Sequence, residues 1–220
     1  MAEITRKELI VALIGSSTRP RMAGLDLSGM DLSHLALGNA ILSRSDLIGS
    51  DLSRTDLTGA DLSNANLSNA VLKSAQLLNA NLTGADIRFG KMERVNLTWA
   101  CLVRAILSGA LLQEADLSHA LLNRADLKDA NLTKARLAGA DLQDASLIHA
   151  NLTQADLSGA NLSRANLTNA DLSGADLRNA NLEGASVSTL QLSRVLYMDG
   201  AIRPDGSKEN RLSETIGQNG

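Results

Sequence analysis

Aromatic residues are nearly absent from this 220-residue chain, which holds one Phe, one Trp and one Tyr. An ordinary globular core draws heavily on such rings, so a thin core of small aliphatic groups is expected instead. Cys101 is the single cysteine, which excludes an intrachain disulfide and a cysteine metal cage, and fits a reducing cytoplasm. The three histidines, His34, His119 and His149, are scattered and expected to be exposed, with no metal-ligand spacing among them. No phosphate-binding glycine loop occurs, so no cofactor and no enzymatic activity are expected. Charge of one sign is lacking too. Lys and Arg number 21 against 24 Asp and Glu, a net of −3. There is no run long enough to span a membrane. The apolar stretch Leu9–Ile14 is short, follows Glu8 and lacks a cleavage signal, so it does not read as a secretory leader.

What the chain has is a five-residue frame. Every fifth residue from 27 to 192 is a large aliphatic: Leu throughout, except Ile87, Met92 and Val187. Two residues before each lies a second marked position, held by Ala in 25 of 34 cases. Five residues of helix turn about 500°, which would scatter the Leu set around all sides. On extended backbone, residues two apart share a side, so Ala and Leu both point inward. The next Ala is three residues on and faces inward only if the chain turns a corner between. Short edges joined by corners make a solenoid. Asp, Asn, Ser, Thr, Gly and Arg fill the remaining positions and suit corners. The 13 aspartates just before the Leu position therefore read as corner hydrogen-bonding and solubilising groups, not catalytic carboxylates. The same grammar generates the Asn-Leu-Ser and Asn-Leu-Thr triplets that mimic glycosylation sites, as at Asn66 and Asn81.

Units such as Ala155-Asp156-Leu157-Ser158-Gly159 and Ala165-Asn166-Leu167-Thr168-Asn169 resemble those of the pentapeptide-repeat family. The resemblance covers residues 25–194 and looks bacterial, cyanobacterial above all. It implies a right-handed, four-sided parallel β-helix of about 8.5 coils of 20 residues, a rod roughly 40 Å long at the spacing of paired strands. Residues 1–24 are expected to form a short capping helix (over 3–14) and lead-in, with Leu9 and Leu13 covering the first coil. Bulky Leu25, Met30 and Leu35 at the Ala position suggest a wider opening coil. Residues 195–206 form the expected C-terminal cap, with Val195, Tyr197, Met198 and Ile202 as the plug. Residues 207–220 are expected to be a disordered polar tail. Either end offers a route to a homodimer.

Some members of the family mimic DNA and bind DNA gyrase in its place, which needs a strongly acidic surface. The most acidic face expected here carries Asp26, Asp46, Asp86, Asp126 and Asp129 against Arg88 and Lys128, and no face is uniformly acidic. Phe at many core positions, common in those members, is missing. Direct nucleic-acid binding is not expected either, since Asp144 interrupts the Arg104, Arg124 and Arg164 column. Departures from the grammar between residues 71 and 124 stand out more. Outward positions there hold Val71, Lys91, Cys101, Ile106, Leu111 and Leu121, with Phe89 and Trp99 at corners and Val103 and Arg104 alongside. Exposed apolar groups beside an aromatic and an Arg are the material of protein interfaces. The sequence thus points to a non-enzymatic scaffold that docks an unidentified protein partner through Val71, Phe89, Trp99, Cys101, Val103, Arg104, Leu111 and Leu121. Gyrase-directed DNA mimicry is the alternative.

Overall fold

The computed structural model describes Glu8 and residues 19–209. Of the expected N-terminal helix only Glu8 is described, as helical; Leu9 and Leu13 lie outside the described residues. From Arg21 onward the chain coils, and parallel bridges join each residue just before a Leu position to the one 20 residues later, from Arg21–Ile41 to Asn166–Ser186. One corner every five residues makes each coil four-sided.

The unit's residue types follow from where its backbone N–H groups go. Leu27 N–H donates to Asp46 O at 2.7 Å, and Asp46 N–H to Leu25 O at 2.9 Å. At the corner, Gly29 N–H reaches Ile48 O of the next coil at 2.8 Å, while Met30 N–H closes a turn on Leu27 O at 3.2 Å. Ser28 N–H has neither partner. It donates to Asp26 Oδ1 at 3.0 Å. The same contact recurs from Asp56, Asn96, Asp156 and Asn181, so the Asp/Asn position satisfies the one donor that the ladder and turn leave over. From Gly24 to Gly184 the residue before each Ala position has φ between about +56° and +71°, as in a type II turn. Gly and Asn take this conformation readily, and other residues give up about 1–2 kcal/mol to adopt it.

Ser28 and Ser173 also bond their aspartates through the hydroxyl, which, with the backbone N–H, holds Asp26 and Asp171 below the usual carboxylate range. A carboxyl lowered on folding contributes stability above its unfolded value, near 3.9, and loses it as pH falls through the folded one. Asp171→Asn keeps an acceptor, as Asn161 and Asn166 do. Its urea midpoint is therefore expected to drop less between pH 7 and pH 3 than the wild type's. An equal drop would deny Asp171 that role.

The Leu and Ala positions form one continuous buried column. Where hydroxyls replace Ala they bond carbonyls: Ser45 to Leu42 at 2.6 Å, Ser50 to Leu47 at 2.8 Å and Thr55 to Leu32 at 2.8 Å. Met30 is buried, and Leu25 and Leu35 pack half-buried against the column. Gly90 makes room for Met92, but a Cβ there would meet Ile87 first, 3.0 Å from Cγ2 and 3.1 Å from its carbonyl oxygen, with Met92 Cγ at 3.5 Å. Gly90→Ala should thus cost about 1–3 kcal/mol as overpacking. Ile87→Leu, which removes the branch methyl, should recover part of it in a double-mutant cycle followed by urea denaturation. Strict additivity would deny the Ile87 contact.

The repeat ends in two steps. A short helix, α1 (Thr189–Leu192), replaces one edge, with Ser188 and Gln191 forming a reciprocal capping box. Gln191 Nε2 then donates to Leu167 O at 2.7 Å and Ala170 O at 2.9 Å, carbonyls of the coil beneath. Next, Leu196 N–H bonds Ala175 O while Leu177 N–H bonds Tyr197 O, so two residues oppose one. This bulge shifts the frame by one. Tyr197 and Ile202 therefore take bridge positions opposite Asp176 and Asn181 rather than core positions. Tyr197 is not a plug: it is exposed, with the Arg178 guanidinium 4.9 Å from its ring centre. Met198 and Ala201 are the buried residues, and Val195 packs half-buried beside them. Backbone pairing continues past Gly206. Ile202 pairs antiparallel with Lys208, Gly200 N–H donates to Glu209 O at 3.0 Å, and Glu209 N–H to Ala201 O at 2.7 Å. A polar sequence here is held by backbone pairing and an Arg203–Glu209 ion pair, which composition does not reveal.

Candidate partner-binding face

Corner side chains lean toward the next coil. A Cβ on Gly109 would lie 2.7 Å from the ring of Phe89, 20 residues earlier, and one on Gly139 would lie 2.6 Å from His119 Nδ1. Trp99 obeys the same geometry. Its ring stacks on His119 with centroids 4.3 Å apart and planes 13° from parallel. Trp99 is held at φ +60° and Phe89 at +57°, conformations bulky residues rarely adopt. Both remain more than half exposed, at 57 % and 60 %.

From the Trp99 corner the chain runs directly into Cys101, which bridges to Leu121 on the next coil. Leu121 is 45 % exposed, and Cys101 is half-buried with its Sγ 3.2 Å from Thr83 Oγ1. Asn81 and Asp141 bridge to the outer sides of this pair and bound it along the rod. The far end of the edge holds half-buried Val103 and the exposed corner residues Arg104 and Arg124. Arg124 Nε lies 3.8 Å from Asp144. Arg164 grips that carboxylate with two bonds of 2.7 and 3.0 Å, and their hydrogen bonding is the chief cause holding Asp144 below its ordinary range. Arg104 makes no ion pair among the described residues.

The remaining residues of the expected patch lie elsewhere. Phe89 precedes Trp99 by ten residues, half a coil, and so occupies the diagonally opposite corner. Val71, Lys91 and Leu111 form one bridged column beside it, with the exposed charge of Lys91 between the two apolar groups. Trp99, Cys101, Val103, Arg104 and Leu121 are thus brought together, while Val71, Phe89 and Leu111 form a second, interrupted group. His119 and Arg124 belong to the first group. Both stand 20 residues after Trp99 and Arg104, a signal open to view once the coil length is known.

Elsewhere the surface acids are largely engaged. Arg88 pairs with Asp86, Lys73 with Glu93, Arg94 with Glu114, Arg136 with Asp116 and Arg178 with Asp176. Among the described residues no group of His, Cys, Asp and Glu could hold a metal ion, and no helix is long and apolar enough to cross a membrane.

A four-sided parallel coil with polar corners and a Leu/Ala core defines the class of protein. The family model of pentapeptide repeats matches in eight copies within residues 21–184, and the chain belongs to that family. Membership supports the right-handed sense that the resemblance implies. Among solved structures, HetL, a pentapeptide-repeat protein involved in heterocyst differentiation regulation in the cyanobacterium Nostoc sp. strain PCC 7120, is 30 % identical. That match covers 94 % of this chain and 100 % of HetL, with a TM-score of 0.66. QnrB1, a plasmid-mediated fluoroquinolone resistance protein, is 18 % identical over 83 % of this chain and 93 % of its own, with a TM-score of 0.57, and shares the fold. No curated protein sequence matches the chain at a significant level.

Proposed function

We propose that the chain is a non-enzymatic, cytoplasmic scaffold rod that docks a protein partner on the face of Trp99, Cys101, Leu121 and Arg104. The observation that carries this reading is the coincidence of three departures on one edge. An aromatic occupies a left-handed corner where Gly or Asn is easier. Two apolar residues stand where the fold calls for Asp or Asn. An arginine beside them is unpaired among the described residues. The first two cost the isolated rod something, and all three supply what interfaces use. The likeness to HetL, a protein involved in regulation, adds support for a regulatory role exercised through contact rather than catalysis.

Gyrase-directed mimicry of DNA gains nothing from the surface. Many of its acids pair with bases and the net charge is only −3. Exposed Leu190, Leu196 and Tyr197 are the groups through which a homodimer would form at the C-terminal cap. The test of the docking reading is capture of proteins from the source organism by immobilised wild type and by Trp99→Gly/Leu121→Ser. A partner held by the first and lost by the second supports it. An unchanged set of captured proteins would remove it.

A further inference from the structure

The docking face also carries information about what it receives. We infer that the partner segment is an acidic amphipathic helix lying along the rod; this rests on the docking reading above. Cys101 and Leu121 are adjacent-coil neighbours, about 4.8 Å apart at the strand spacing. Three residues of helix rise about 4.5 Å, so an i, i+3 apolar pair matches that step, whereas alternate residues of an extended strand advance roughly 6.6 Å. Arg104 and Arg124 repeat at the same one-coil step on one flank. No acidic residue lies on that edge within these two coils, and the nearest carboxylate on the column, Asp144, is gripped by Arg164 and lies 3.8 Å from Arg124, at the outer limit of an ion pair. Carboxylates beside the helix's apolar stripe would meet these two guanidiniums. On the other flank the stacked Trp99 and His119 rings line the stripe's side with their edges. A nucleic-acid strand would also use the ring and the arginines, but it needs a row of stacking rings and a continuous basic groove, which one Trp99–His119 stack and two arginines do not make.

Trp99 is the only tryptophan, so its emission reports on this face alone. The experiment titrates the full-length protein with three tryptophan-free probes: a helical Leu/Glu amphipathic peptide, the same peptide with Lys for Glu, and a single-stranded oligonucleotide. A saturable change with the acidic peptide alone is expected. It should vanish in Leu121→Ser. In Arg104→Glu/Arg124→Glu it should weaken at least tenfold, while the Lys peptide gains binding; Glu114 occupies an equivalent corner, so the fold accepts this change. No response to the acidic peptide, an equal response to the Lys peptide, or a response to the oligonucleotide alone would overturn the inference. Cellular capture that survives Arg104→Glu/Arg124→Glu but not Trp99→Gly/Leu121→Ser would leave the docking face standing and remove only the acidic helix.

Discussion

Leu142→Ala is expected to lower the unfolding free energy by about 2–5 kcal/mol. Leu142 is fully buried and stacks in register between Leu122 and Leu162. Truncation loses about 2 kcal/mol of transfer energy and leaves a cavity that the backbone ladders on either side prevent from collapsing. A solenoid's stability is a sum of nearest-neighbour terms, so a defect here weakens two coil interfaces at once. The coils before and after it should then melt apart. In urea, Trp99 emission reports the N-terminal side and circular dichroism the whole rod. The two midpoints should coincide in the wild type and separate in the variant. A loss well under 1 kcal/mol with coincident midpoints would mean that the column is not a stack of coupled neighbours.

Trp99→Gly/Leu121→Ser should weaken partner binding about a hundredfold or more, since truncating central interface residues commonly costs upwards of 2 kcal/mol. The rod itself should hardly change. Glycine adopts the φ of +60° at this corner without the steric penalty Trp incurs. That gain is set against the lost stack on His119. Leu121 is exposed, and Ser146 already occupies an equivalent bridge position. Unchanged urea unfolding beside lost binding separates an interface defect from a folding defect. A variant that unfolds would instead make Trp99 a structural residue.

Most of the fold was legible because a single frame governs it. Leu at every fifth position and Ala two before it place the core without reference to anything else, and Asp and Asn at the remaining bridge position announce the turn cap. The C-terminal end was less legible for the same reason. Leu190 and Leu192 keep the frame while the backbone becomes helical, although Ser188 and Gln191 do spell a capping box. Tyr197 and Ile202 keep it as well, which hides the bulge at Leu196. Register is a hydrogen-bond property, and apolar spacing does not record one extra residue. At the candidate site, the pairing of Trp99 with His119 follows from the 20-residue step. The division of the apolar residues between opposite faces follows from the half-coil separation of Phe89 and Trp99. The partner's identity has no counterpart in the frame, because an outward residue is constrained by what it meets and not by the coil.

The most direct measurement is quantitative capture by three proteins in parallel: wild type, Trp99→Gly/Leu121→Ser, and the opposite-face control Phe89→Gly/Leu111→Ser. Loss of a partner in the first variant and retention in the control is the predicted result. Equal retention, or equal loss, in both variants would contradict a docking face centred on Trp99.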